Sequence, residues 1–110
     1  VYIYSTSLGQ DKYRFLKEFA DSLKTKIGKT IFEFCSSSDT IIPVEQLTQQ
    51  AAQQRTLFVF DDCMLEKQEP IEKYFSQGRH GNADCFYLCQ SFYKILKRVI
   101  RENANLIIIF

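Results

Sequence analysis

Apolar positions along the chain alternate between two rhythms. Val1 to Thr6 is a short run rich in Val, Ile and Tyr, the composition of a strand. From Asp11 to about Ile27 the rhythm changes. Leu16, Phe19, Ala20, Leu23 and Ile27 recur at three- and four-residue steps, which predicts a helix with these residues on one face. Gly28 supplies its stop. Lys29 to Cys35 reads as a second strand, with Ile31, Glu33 and Cys35 alternating against Thr30, Phe32 and Phe34. After a Ser-rich loop, Pro43 suits a first helical turn, and a helix is predicted to about Gln54 with Val44, Leu47 and Ala51 on one side.

The second half repeats the alternation. Thr56 to Asp61 is a third strand whose core, Leu57-Phe-Val-Phe60, is apolar without a break, so cover on both faces is expected. Glu69 to Gln77 is a helix turning Ile71, Tyr74 and Phe75 inward, and Asp84 to Gln90 is a fourth strand. Phe92 to Asn103 is a helix with Phe92, Ile95, Leu96, Val99 and Ile100 on one face, and Leu106 to Phe110 is a continuously apolar fifth strand. Strands alternating with helices predict one α/β domain over residues 1–110: a mostly parallel sheet with helices on both faces, joined by right-handed crossovers. Such sheets bind ligands at the carboxyl ends of their strands, which directs attention to Asp61, Asp62, Gln90 and Ser91.

Composition narrows the picture only modestly. The 110 residues are 45% hydrophobic and 25% charged, with a formal net charge of +1, so no overall field points to nucleic acid or a membrane surface. Cys35, Cys63, Cys85 and Cys89 form no C-x-x-C pair and are too sparse for a disulfide scaffold, so they read as reduced thiols of an intracellular protein, not a secreted one. No segment has the roughly 20 apolar residues needed to span a bilayer, and there is no signal-peptide pattern. The chain opens and closes on apolar strand-like runs, where domain termini usually lie loose. It therefore reads as a portion of a larger protein.

Four features carry candidate chemistry. The first is Leu57-Phe-Val-Phe-Asp61-Asp62, an apolar strand ending in two carboxylates. This is the arrangement of a Walker B strand, where one carboxylate holds Mg²⁺ through water and the next orients or deprotonates an attacking water; an Asp-rich turn closing a strand fits the same residues. The second is Gln90, at the end of the next apolar strand, where an amide could sense a γ-phosphate; Ser91 equally suits the cap of the following helix. The third is Gln77-Gly-Arg79-His80-Gly81-Asn82, whose Arg could reach phosphate in a neighbouring subunit, or simply be solvated in a Gly-flanked turn. The fourth is Lys94, Lys97, Arg98 and Arg101, on one side of the last helix: a DNA-backbone or trans-subunit contact, or an ordinary basic face. His80 is the only histidine and has no metal-ligand spacing around it.

An absence matters as much. G-x-x-x-x-G-K-[ST] does not occur in these residues. Gly28-Lys29-Thr30 follows a helix and precedes a strand, and Leu23 stands where the loop's first Gly belongs. A phosphate loop needs the reverse order, because its backbone N–H groups and the following helix N-terminus cradle the phosphates.

Taken together, Leu57-Phe-Val-Phe-Asp61-Asp62, Tyr74-Phe-Ser-Gln-Gly-Arg79-His80 and Tyr87-Leu-Cys-Gln90-Ser91 resemble the viral genome-packaging ATPases, the poxvirus-type and Polinton or virophage-type members of the FtsK–HerA superfamily. Lys97-Arg-Val-Ile-Arg101-Glu-Asn103 looks like that family's Ile-Arg-x-Asn stretch. Val1-Tyr-Ile-Tyr-Ser-Thr-Ser-Leu-Gly-Gln10-Asp-Lys-Tyr13 looks like the strand that follows its Walker A helix. The resemblance covers nearly the whole chain and lies in the order and spacing of motifs that are individually weak.

The resemblance implies a P-loop core of the RecA/ASCE type without its Walker A strand and helix. It implies a parent ATPase that uses ATP and Mg²⁺, forms a homo-oligomeric ring, translocates double-stranded DNA and meets capsid proteins, inside the host cell or with the virion and not at a membrane. It gives Asp61 the Mg²⁺ position, Asp62 the catalytic acidic position, Gln90 the sensor position and Arg79 a sensing or trans-acting role, with Arg101 a weaker counterpart. Without a phosphate loop, this chain by itself is expected not to hydrolyse ATP, and to associate or dissolve poorly through exposed strand edges. Two other readings stay open: a different α/β nucleotide- or Mg²⁺-binding regulatory domain, and a non-catalytic DNA- or protein-interaction module resting on Lys94, Lys97, Arg98 and Arg101.

Overall fold

The structure, a computed structural model, describes residues 1–36, 40–46, 54–63, 67–90 and 98–108. Its elements are β1 (Tyr2–Ser5), α1 (Asp11–Ile27), β2 (Glu33–Cys35), β3 (Thr56–Asp61), α2 (Glu69–Gln77), a 3₁₀ turn (Gly78–Gly81), β4 (Ala83–Leu88) and α3 (Arg98–Asn103). Residues 44–46 form a further helical turn after Pro43. The four strands make one sheet in the order β2-β1-β3-β4, and every pairing is parallel. The predicted α/β class is what the chain adopts.

Aromatic residues build one face of that sheet. The register sets Tyr2 beside Phe58 and Tyr4 beside Phe60, so their rings stack across the strands at 5.1 and 5.6 Å between centroids. Tyr74 of α2 lies 4.3 Å from the Phe58 ring and donates its hydroxyl to the Ile42 carbonyl. Ile41, Val44, Ile71 and Ile100 close this core, in which Phe58, Phe60 and Ile71 are fully buried. The i, i+3 spacing of Ile71 and Tyr74 is the reason α2 lies here.

α1 covers the opposite face. Tyr13 reaches Asp61, and Lys17 sits over the Phe34 ring at 5.6 Å. This layer is thinner than the helical pattern predicts. Leu16, Ala20 and Leu23 are half-buried, Phe19 and Ile27 are exposed, and Tyr13 is the buried residue of α1. Gly28 ends the helix as expected, at φ 75°, with its N–H donating to the Lys24 carbonyl. The second predicted strand shortens to Glu33–Cys35, and the fourth runs from Ala83 to Leu88.

The clearest departure is the fifth strand. Leu106, Ile107 and Ile108 lie outside any strand and are exposed. The outer edge of β4 carries no partner among the described residues, and on its α1-side face Phe86 and Leu88 are 56% and 47% exposed. An apolar segment becomes a strand only where a ladder receives it, and here none of the described strands does. Leu47, Ala51, Ser91, Phe92, Lys94, Ile95, Leu96 and Lys97 lie outside the described residues, so the two predicted helices are seen only as residues 44–46 and Arg98–Asn103.

Candidate functional site

In a doubly wound sheet the place to look is where the connections change direction. From β1 the chain goes to β2 on one side, and β3 lies on the other. The carboxyl ends of β1 and β3 are in register, Ser5 beside Asp61. Beyond them the chain supplies Thr6 and Ser7 on one side and Asp62 on the other, and α1 begins just above.

Donors from β1 and α1 converge on the acidic pair. Asp61 is buried, and its Oδ2 accepts from the Lys12 ammonium at 2.8 Å and from the Tyr13 hydroxyl. Asp62 is exposed; its Oδ2 accepts from Thr6 Oγ1 at 3.2 Å and Ser7 Oγ at 3.1 Å, and its carbonyl accepts from Thr6 Oγ1 at 2.8 Å. Ser5 Oγ in turn accepts from the Ser7 N–H at 3.1 Å. Both carboxylates thus show one pattern. Each has an oxygen held by the protein, and among the described residues no donor reaches its Oδ1.

The backbone around the pair is also fixed. Asp62 has φ 56°, a left-handed conformation that Asp tolerates better than most residues, and its N–H donates to the Leu88 carbonyl at 3.3 Å. The Cys63 thiol donates to the Tyr4 and Asp61 carbonyls. Gln68 donates to the Cys63 carbonyl at 2.6 Å and accepts from the Tyr87 hydroxyl at 2.9 Å, tying the loop after Asp62 to β4. Burial, with the Asp61 carboxylate beside it, pushes the Tyr13 phenol up from 10.0 to about 12. Tyr13 therefore stays a neutral donor across the ordinary pH range.

The other expected residues fall into three places. Gln90 lies two residues beyond Leu88, the register partner of Asp61, in an exposed bend at the same edge of the sheet. Arg79 is in the 3₁₀ turn, exposed, at the opposite end: the following Asn82 carbonyl accepts from the N–H of Thr56, where β3 begins. The six residues of β3 lie between it and the acidic pair, about 17 Å of strand. Within one chain Arg79 does not join the cluster. Arg101 is exposed on α3, Arg98 opens that helix, and Lys94 and Lys97 lie outside the described residues.

Sequence reasoning missed Thr6, Ser7, Lys12 and Tyr13. The signal was present: a Ser-Thr-Ser run ends the first strand, and the binding-edge rule applies to that strand as much as to the third. Among the described residues no group of three or more His, Cys, Asp or Glu side chains comes together, and no helix is long and apolar enough to cross a membrane. The oxygens at this edge, the carboxylates of Asp61 and Asp62 and the hydroxyls of Thr6 and Ser7, are hard ligands of the kind that could hold a hydrated Mg²⁺, and the Lys12 ammonium stands among them. Comparison with protein-family models, curated proteins and solved structures gives no match to this chain.

Proposed function

We propose that the chain is part of an ATP-hydrolysing module of the DNA-translocating kind, in which Asp61 and Asp62 serve Mg²⁺ and the attacking water. The observation that carries this reading is the acidic pair at the carboxyl edge of an apolar parallel strand, each carboxylate anchored through one oxygen with no donor on the other among the described residues. Asp61 would hold Mg²⁺ through water, and that ion would supply charge neutralisation at the phosphates. Asp62, aimed by Thr6 and Ser7, would orient the water and take its proton, while Gln90 would report on the terminal phosphate from the neighbouring strand end. Arg79, far from the pair in its own chain, would act only on the site of the next subunit in a ring.

The open side of β4 supports the same reading. The phosphate loop absent from these residues needs a strand, a loop and a helix. The edge of β4, which has no partner among the described residues, the exposed Phe86 and Leu88, and the exposed Leu106, Ile107 and Ile108 leave apolar surface that such a unit would cover. The family resemblance extends the reading to genome packaging, with double-stranded DNA as the translocated partner, a homo-oligomeric ring, capsid contacts, and ATP with Mg²⁺ as cofactor. The test is the coding frame on the amino-terminal side of Val1. A strand followed by G-x-x-x-x-G-K-[ST] in that frame is expected; a frame without one contradicts the proposal.

One observation favours a second reading. The order β2-β1-β3-β4 is also that of doubly wound regulatory and flavin-binding domains, which add a fifth strand beside β4. A Mg²⁺-binding regulatory domain of this kind would place Leu106–Phe110 directly on the β4 edge. Amide exchange separates the two. Protection of the amides of residues 106–110 in the isolated chain favours the regulatory domain, and fast exchange favours the ATPase module.

A further inference from the structure

The acidic pair already holds a cation, the ammonium of Lys12. Its Nζ is 2.8 Å from Asp61 Oδ2 and 5.0 Å from the centroid of the Tyr13 ring. Lys12 lies in the first turn of α1, the end of a helix where a positive charge is least favourable. Asp61 and the ring face answer that charge locally. The Asp61 side chain is only 10% exposed, whereas that of Lys12 is 55% exposed. The carboxylate is fixed, and the lysine has solvent to move into.

From this geometry we infer that Lys12 is a displaceable internal counter-ion: it occupies Asp61 when no divalent cation is bound and must swing out when one binds. The inference rests on the proposed function for the identity of the ion, and names the group of this chain that competes with it. A hydrated Mg²⁺ and an ammonium on one carboxylate repel each other, and the partly exposed lysine is the one free to leave. Tyr13 has no charge to lose and keeps its hydrogen bond to Asp61 through the exchange. The first turn of α1 therefore responds to the loaded site, while the bond from Tyr13 keeps the helix in place.

The test measures divalent-cation affinity directly, without turnover. Mn²⁺ is titrated by electron paramagnetic resonance into the 110-residue chain at low salt, for wild type and for Lys12→Met, Lys12→Arg, Lys17→Met and Asp61→Asn. Lys12→Met is expected to bind about ten-fold more tightly than wild type, the size of effect for removing one adjacent, partly exposed charge. Lys12→Arg is expected to stay near wild type. Lys17→Met, which removes the same charge one turn further along α1, over the Phe34 ring of β2, is expected to change affinity less than about two-fold. Equal affinity in Lys12→Met and wild type, or an equal gain in Lys17→Met, overturns the inference and leaves the proposed function standing. Binding that ignores Asp61→Asn overturns both, and no binding in any variant overturns the inference.

Discussion

The Tyr13 hydroxyl donates to Oδ2 of Asp61, the same oxygen that carries the Lys12 ammonium. Two consecutive residues at the start of α1 thus hold the carboxylate that ends β3, and this contact fixes α1 over the carboxyl edge of the sheet. Tyr13→Phe removes one donor from a buried carboxylate and is expected to cost about 1–3 kcal/mol. Urea denaturation followed by circular dichroism measures it. Lys12→Met, at a more exposed position, is expected to cost less.

Asp62 stands at φ 56°, so its backbone and side chain can be tested separately. Asp62→Gly relieves the left-handed conformation while removing the carboxylate. Asp62→Ala removes the carboxylate and keeps the conformational cost. The glycine variant is expected to be about 1 kcal/mol more stable than the alanine variant, and both are expected to lose any activity that depends on Asp62. Thermal denaturation of the pair checks the order.

The two faces of the sheet should respond differently to truncation. Phe58 is fully buried between Tyr2 and Tyr74, so Phe58→Ala is expected to cost about 3–5 kcal/mol. Phe86 is 56% exposed on the α1-side face, so Phe86→Ala should change stability by less than about 0.5 kcal/mol. If the same exposure persists in the folded chain, self-association through β4 is the expected outcome. Phe86→Lys combined with Leu88→Lys is expected to lower the apparent mass in analytical ultracentrifugation and leave the circular dichroism spectrum unchanged.

Alkaline pH should unfold this chain through its phenols. Burial raises Tyr4, Tyr13 and Tyr87 from 10.0 to about 12, and Tyr74 is raised as well. The folded chain favours the neutral phenol, so this contribution is complete below pH 10 and is lost as pH rises through about 12. Urea midpoints are expected to fall across that window. Tyr13→Phe should remove one phenol's share of the decline.

The parts of the fold legible in the sequence were those with a strong local signal. The three- and four-residue steps of α1, the Gly28 stop, and the apolar run from Leu57 to Phe60 each predicted their element within a residue or two. The place of Asp61 and Asp62 was legible because the apolar run leads directly into them at the carboxyl end of β3. What escaped was long-range. The order β2-β1-β3-β4 brings Thr6, Ser7, Lys12 and Tyr13 to the acidic pair across some 50 residues of sequence, and local periodicity does not record such distances. The fifth strand failed for the complementary reason. Leu106, Ile107 and Ile108 have strand composition, but strand formation depends on a partner edge, and composition says nothing of the partner.

The measurement closest to the central claim is ATP hydrolysis by the product of the complete coding frame, with and without double-stranded DNA, compared between wild type and Asp62→Asn. The account predicts Mg²⁺-dependent turnover that rises with DNA and falls at least about 100-fold in Asp62→Asn, with none from the 110-residue chain alone. Turnover that Asp62→Asn leaves intact, or a complete product that neither binds nor hydrolyses ATP, would contradict it.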